Sequence, residues 1–135
     1  MIGLDTNIIV RYLVRDDPIQ TEKAVGLLER GLRGLTEHNP GFVSVVVIVE
    51  TAWVIKRVYG FADSEVATAI ESLLEANNVI VENEQAVFAA MRALKEGRGS
   101  LADSLIGNIC SQVGCSHTLT FDRKALRLPG FTLLE

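Results

Sequence analysis

Short apolar runs alternate along this chain with longer segments whose apolar residues recur every three or four positions. The short runs predict strands at residues 2–4, 42–43, 79–81, 117–120 and 131–134. The longer segments have the period of amphipathic helices. Strands that alternate with helices indicate an α/β fold. We therefore expect a three-layer α/β/α arrangement around a central, mainly parallel sheet.

Polar residues that cap helices precede the predicted helical segments. The expected starts are Thr6, Asp17 followed by Pro18, Ser44, Asp63 or Ser64, Asn83 and Ser100. The face predicted for the helix after Pro18 comprises Val25, Leu28, Leu32 and Leu35. The face predicted for the helix after Ser100 comprises Ala102, Leu105, Ile106, Ile109 and Val113, and Gly114 is its expected end.

The length of 135 residues predicts a single domain over residues 1–135. The apolar run at residues 45–49 is far shorter than the roughly 20 residues that a membrane span needs. No basic segment followed by a long apolar stretch opens the chain, so we expect no signal peptide. The expected location is the cytoplasm, without membrane association.

The two cysteines, Cys110 and Cys115, are too few for a disulfide framework. With His117 they form a pattern that resembles part of a zinc site. A closed structural zinc site needs four ligands, however, and the other histidine, His38, lies in a distant loop. We therefore expect two reduced, buried thiols rather than zinc.

The net charge of −4 disfavours a nucleic-acid partner when taken alone, because phosphate binding usually draws on a basic surface. That objection weakens if several carboxylates share one metal site, where bound cations reverse the local charge. Charge by itself leaves nucleic-acid binding open.

Asp5 and Asp122 each follow a predicted strand. Open parallel sheets place their functional sites beyond the carboxyl ends of the strands, which makes both carboxylates candidates. The structural alternative for Asp5 is a helix cap, although Thr6 could serve as that cap. The alternative for Asp122 is a turn residue before Arg123.

Glu50 interrupts a helix that is apolar on nearly every side, from Val45 to Ile55. Such a helix is expected to be buried, so the carboxylate should point into a cleft or core. An isolated buried charge is costly unless it is paired or bound to a metal. The alternative is a narrow solvent-facing stripe with Lys56 or Arg57 nearby.

Asp103 lies three residues after Ser100, at the spacing of a capping box with Asp in place of Glu or Gln. This structural role is a serious alternative. A carboxylate in the first turn would also project toward the mouth of the sheet if the helix packs on it.

Converging carboxylates offer the hard oxygen ligands that suit Mg²⁺ or Mn²⁺. Two such ions roughly 4 Å apart can activate a water and stabilise the leaving oxygen of a phosphodiester. Two histidines in unrelated contexts make histidine acid–base catalysis a poor fit. An aspartyl phosphatase would need Asp at the position of Asn7, and a purely binding α/β module would leave Glu50 unexplained.

Four segments in order along the chain resemble the PIN domain, and more narrowly the VapC-type ribonuclease toxins of toxin–antitoxin pairs. They are Asp5-Thr6-Asn7, the helix from Ser44 to Trp53 with Glu50, Ala102-Asp103-Ser104-Leu105-Ile106, and Thr120-Phe121-Asp122-Arg123. The resemblance implies an endoribonuclease dependent on Mg²⁺ or Mn²⁺. It carries metal-binding and catalytic roles onto Asp5, Glu50, Asp103 and Asp122, and supporting roles onto Thr6, Asn7 and Thr120.

The same resemblance implies a homodimer and a small antitoxin protein that inhibits the enzyme. Exposed apolar residues of the helices are candidates for the dimer face, namely Trp53, Val54, Val58, Tyr59 and Phe61. RNA contacts would then depend on local basic residues, namely Arg11, Arg15, Arg98 and Arg123. A housekeeping nuclease of the same family remains an alternative to the toxin.

Overall fold

The computed structural model describes all 135 residues, which divide into two compact units, residues 1–84 and 85–135. Unit 1 contains three strands, β1 (Ile2–Gly3), β2 (Gly41–Val43) and β3 (Val79–Val81), and four α-helices, α1 (Thr6–Val14), α2 (Pro18–Arg30), α3 (Val45–Arg57) and α4 (Asp63–Glu75), with a 3₁₀ turn at Leu32–Gly34. Helix α5 (Glu84–Lys95) lies in unit 2 from its second residue, Gln85, onward. It is followed by α6 (Leu101–Gln112), β4 (Thr118–Thr120), a 3₁₀ helix (Arg123–Arg127) and β5 (Phe131–Leu133).

Every strand pairing is parallel. In unit 1 the order is β1-β2-β3, with Ile2 opposite Gly41 and Gly41 opposite Val79. In unit 2, β4 pairs with β5. The predicted α/β fold with parallel strands is confirmed, and the strands are hydrogen-bonded as one set of three and one set of two. None of the helices combines the length and the apolar character needed to cross a membrane.

The parallel order brings the carboxyl ends of β1, β2 and β3 to one edge of the unit 1 sheet. Asp5, Ser44 and Glu82 follow these ends along the chain. Ser44 caps α3 as predicted, since its hydroxyl oxygen accepts from the N–H of Val47. The Glu82 carboxylate accepts from the N–H of Val45 at 2.8 Å, so two side chains hold the start of α3.

Two predicted helix faces are wrong. Helix α2 ends at Arg30 because Gly31 adopts a left-handed conformation with φ of 66°. Leu32 therefore leaves the helical face and is 50% exposed, whereas Leu35 is buried in the following loop. In α6 the buried residues are Leu101, Ser104 and Leu105, while Ile106 and Val113 are exposed.

The thiols are also placed differently from the prediction. Both cysteines are free, as expected. Cys115 is exposed and Cys110 is half-buried, so neither is a core thiol. They lie at the end of α6 and in the loop after it, which packs less closely than the first turns of that helix.

Candidate metal site

Asp5 lies between the end of β1 and the start of α1, in extended backbone geometry with φ of −81° and ψ of 161°. Its carboxylate accepts from the N–H of Thr6 at 2.8 Å. The helix therefore begins at Thr6 with Asp5 as its cap, whereas the sequence predicted Thr6 as the cap. Asp5 is exposed, so its carboxylate remains accessible to a ligand.

The Thr6 hydroxyl is not used for capping because it donates to the Glu50 carboxylate of α3. Thr6 is itself buried, which fixes the position of this donor. Asp5 and Glu50 thus contact the same residue, one at its backbone N–H and the other at its hydroxyl. This arrangement joins the carboxyl end of β1 to the middle of α3.

The prediction that Glu50 points into a core or closed cleft is wrong, because Glu50 is exposed. The buried stripe of α3 is formed by Ile48, Thr51, Ala52 and Ile55. Glu50 lies instead between Val46 and Trp53 on the exposed stripe, at helical spacings of four and three residues. A helix this apolar can still have a solvent-facing side, since apolar residues are common on protein surfaces.

Neither Asp5 nor Glu50 forms an ion pair. Lys56, one of the two predicted basic neighbours of Glu50, is paired with Asp63 at 2.7 Å. Arg11, the basic residue of the last turn of α1, contacts Asp16, Gln20 and Tyr59. Two carboxylates and a hydroxyl without a cationic partner are a donor set that suits a hard divalent cation.

Asp103 is half-buried in the first turn of α6. Its N–H donates to the Ser100 hydroxyl oxygen at 3.1 Å, so Ser100 is the cap that the sequence predicted. The reciprocal hydrogen bond of a capping box, from the Ser100 N–H to the Asp103 carboxylate, is missing. The carboxylate of Asp103 therefore has no structural role in capping and forms no ion pair.

Asp122 follows β4 and caps the short 3₁₀ helix, where its carboxylate accepts from the N–H of Lys124 at 2.9 Å. Its own N–H donates to the Thr120 hydroxyl oxygen at 3.0 Å. Thr120 thus fixes the backbone of Asp122. Asp122 is therefore also a turn residue, which is the structural alternative that the sequence predicted for it. Asp122 is exposed, so an outer carboxylate oxygen stays accessible.

The residues that could hold a metal are thus Asp5 and Glu50 in unit 1, and Asp103 and Asp122 in unit 2. No group of three or more His, Cys, Asp or Glu side chains lies close enough together to hold a metal ion. Asn7, at the second position of α1, is exposed and hydrogen-bonds to no other side chain.

The basic residues predicted to contact RNA differ in whether they are already paired with a carboxylate. Arg15 pairs with Glu29 at 3.0 Å, and Arg98 pairs with Glu96 at 2.8 Å. Arg123 forms no ion pair. Two cations that the sequence did not single out, Lys23 and Arg33, also lack carboxylate partners, and both line a groove next to Asn7. Neither stands out in the sequence, because their proximity arises from the packing of α2 against α1.

A family model described as the PIN domain matches residues 2–130 of the chain. No curated protein and no solved structure matches it.

Proposed function

This chain belongs to the PIN domain family, and on that premise we propose that it is an endoribonuclease dependent on Mg²⁺ or Mn²⁺. PIN domains are typically nucleases, which are hydrolases of phosphodiester bonds. The observation that carries the proposal is the contact of Asp5 and Glu50 with the two sides of Thr6, without a basic residue that neutralises them. Open parallel sheets have their functional sites beyond the carboxyl ends of the strands, so unpaired carboxylates at this edge are in the expected place for such chemistry.

The carboxylates proposed as metal ligands are Asp5 and Glu50 in unit 1, and Asp103 and Asp122 in unit 2. When bound, Mg²⁺ or Mn²⁺ supplies Lewis-acid activation of a water and stabilises the negative charge that develops on the phosphodiester. Thr6 keeps the Glu50 carboxylate oriented through its hydroxyl. Asp5 keeps its carboxylate in place through the Thr6 N–H.

Asn7 and Thr120 have supporting roles in this proposal. Thr120 accepts from the backbone of Asp122 and so orients the residue that carries the carboxylate. Asn7 follows Thr6 and offers an amide to water or to a phosphate oxygen. Residues that orient ligands in this way tune a metal site as strongly as some direct ligands do.

We treat residues 1–135 as one PIN domain although the chain divides into two compact units. The support is that one family model runs across both units, from residue 2 to residue 130. The four candidate acids are distributed over the two units, two in each. A function that needs all four therefore needs the whole chain.

The biological role we propose is the toxin of a type II toxin–antitoxin pair, acting on RNA in the cytoplasm. A housekeeping nuclease with the same acids is the alternative. A small open reading frame immediately upstream that encodes a DNA-binding antitoxin favours the toxin. Growth arrest on expression, relieved by co-expression of that neighbour, tests it directly.

We further propose a homodimer. Of the residues predicted for the dimer face, Trp53 and Val58 are 60% and 64% exposed on α3 and at its end, whereas Val54, Tyr59 and Phe61 are half-buried. Apolar side chains this exposed on one helix are typical of an interface. Sedimentation at tens of micromolar should give a dimer, and a Trp53→Ser variant should shift it toward monomer. A wild-type monomer at that concentration contradicts the dimer.

Cleavage of a structured RNA with Mg²⁺, with Mn²⁺ or in excess EDTA tests the enzymatic proposal. We expect cleavage only with metal, and none by an Asp5→Asn protein purified in parallel, which controls for contaminating ribonuclease. Undiminished cutting in EDTA by the wild-type protein would contradict the metal mechanism. Binding of RNA without cutting under any metal would identify a binding module instead.

A further inference from the structure

A groove with a volume of about 530 Å³ runs between α1 and α2 and ends at the 3₁₀ turn Leu32–Gly34. It lies within unit 1, and Asn7, the residue after Thr6, is one of its lining residues. Asn7 lies two residues after Asp5 and directly follows Thr6, which contacts both Asp5 and Glu50. No acidic side chain lines it.

Three cations line the groove in a protein whose net charge is −4. Arg11 already has partners, since it pairs with Asp16 at 3.3 Å and donates to Tyr59 at 2.9 Å. Lys23 and Arg33 are exposed and form no ion pair. In contrast, the cations Arg15, Arg30, Lys56, Arg92 and Arg98 are all paired with carboxylates. The groove thus combines two unpaired cations with a lining that contains no carboxylate.

The floor of the same groove is apolar. Ile8 and Leu27 are half-buried, and Leu32 is 50% exposed because Gly31 turns the chain out of α2. Cations beside exposed apolar side chains match a strand that offers phosphates and unstacked bases together. A duplex presents its phosphates but keeps its base faces stacked, so the apolar floor would have no partner.

We infer that this groove binds a single-stranded segment of RNA next to the cleaved bond, with Lys23 and Arg33 contacting phosphates and Leu27 and Leu32 contacting bases. The inference rests on the proposed ribonuclease function and names the path of its substrate. Asn7 lines the groove and lies two residues after Asp5, which favours RNA over an acidic protein segment, because a substrate must reach the acids.

The test is the binding of a fluorescently labelled single-stranded oligoribonucleotide, measured by anisotropy in EDTA so that no cleavage occurs. The variant Lys23→Gln/Arg33→Gln removes the two unpaired cations of the groove. The matched control Lys56→Gln/Arg92→Gln removes two cations that are paired outside the groove. Both variants change the net charge by the same amount, and all four side chains are exposed, so folding should be unaffected.

Each lost phosphate contact lowers the slope of log K against log salt by about 0.7 for a single strand. From about 50 to about 200 mM NaCl, wild type should therefore lose about sevenfold more affinity than the groove variant, as expected for two contacts. The control should match wild type. A Lys23→Arg/Arg33→Lys variant, which keeps both charges, should retain the wild-type slope.

Equal affinity and equal salt slope for wild type and the groove variant would overturn the inference. A second result would also overturn it: the groove variant no longer binds an acidic amphipathic peptide but binds RNA as wild type does. The groove would then be a protein docking site. Because the assay contains no metal, its outcome is separate from that of the cleavage assay. A protein that does not cleave RNA can still bind it in the groove. Conversely, unchanged RNA binding by the groove variant does not contradict metal-dependent cleavage.

Discussion

Thr6 donates its hydroxyl hydrogen to the carboxylate of Glu50, 44 residues further along the chain. Thr6 is the first residue of α1, and Glu50 lies in the middle of α3. The contact therefore connects a helix start at the sheet edge with an exposed carboxylate on another helix. It fixes the orientation of a glutamate that contacts Thr6, as Asp5 also does, and a fixed orientation is what a ligand of a hard cation requires.

Replacement of Thr6 by Val removes the hydroxyl and leaves the shape of the side chain. A hydrogen bond to a charged group contributes about 1.5–3 kcal/mol, so single-turnover cleavage should fall by roughly tenfold to a hundredfold. Thr6→Ser retains the donor and should recover most of that loss. If Thr6→Val cleaves as fast as wild type, orientation of Glu50 by Thr6 is not needed for the reaction.

Asp103→Asn separates catalysis from capping, because Ser100 rather than Asp103 caps α6. We expect cleavage to fall by orders of magnitude, while the free energy of unfolding changes by no more than about 1 kcal/mol. The matched control is Asp17→Asn, at the cap of α2, where the carboxylate accepts from the N–H of Gln20. Its cleavage should remain near wild type, since Asn is an equally good cap. Equal activity of both variants would remove Asp103 from the site.

Thr51 lies next to Glu50 but faces the core, and its hydroxyl is fully buried without a hydrogen-bond partner. An unsatisfied buried polar group costs about 1–3 kcal/mol. Thr51→Val, which keeps the shape, should therefore raise the free energy of unfolding by about 1 kcal/mol and Tm by about 4 °C. The hydroxyl of Thr68 donates to the Ser64 carbonyl on the surface. Thr68→Val is therefore the control and should not stabilise the protein. Thermal melts that show no gain for Thr51→Val contradict this account.

Tyr59 connects Arg11 to Asp16. Its hydroxyl accepts from Arg11 at 2.9 Å and donates to Asp16 at 2.9 Å. The hydrogen bond from Tyr59 is the main cause that lowers the pKa of Asp16, and Arg11 adds to it. A carboxylate whose pKa is lowered by folding contributes stability above its unfolded pKa, which is lost as the pH falls through the folded value.

Tyr59→Phe should therefore lower Tm at neutral pH, and the difference from wild type should shrink as the pH falls below the usual range of an aspartate. Thermal melts from about pH 2 to about pH 7 measure it, since the usual aspartate pKa is about 3.9. Tyr12→Phe is not a suitable control because Tyr12 hydrogen-bonds to Glu29. Phe61→Leu, two residues further along the chain and without a titratable side chain, serves instead. A Tyr59→Phe difference that is independent of pH would exclude this role of Asp16.

The sequence by itself determined the order of the elements, because caps and breakers act within a few residues. Ser44 and Ser100 cap the helices predicted for them, Pro18 opens α2, and Gly114 follows the end of α6 in a left-handed conformation. Parallel strands followed from the alternation of short apolar runs with helices. The family assignment followed from four short motifs in order, each of which can be recognised from a few neighbouring residues.

Only the tertiary structure decided which face of each helix is covered, since that depends on the neighbours rather than on periodicity. Glu50 is exposed in an apolar helix because the buried stripe of α3 passes through Ile48, Thr51 and Ile55. The Thr6 hydroxyl finds a partner 44 residues away, a distance along the chain that no capping rule spans. Lys23 and Arg33 became neighbours of one groove only through the packing of α2 on α1 and the turn at Gly31.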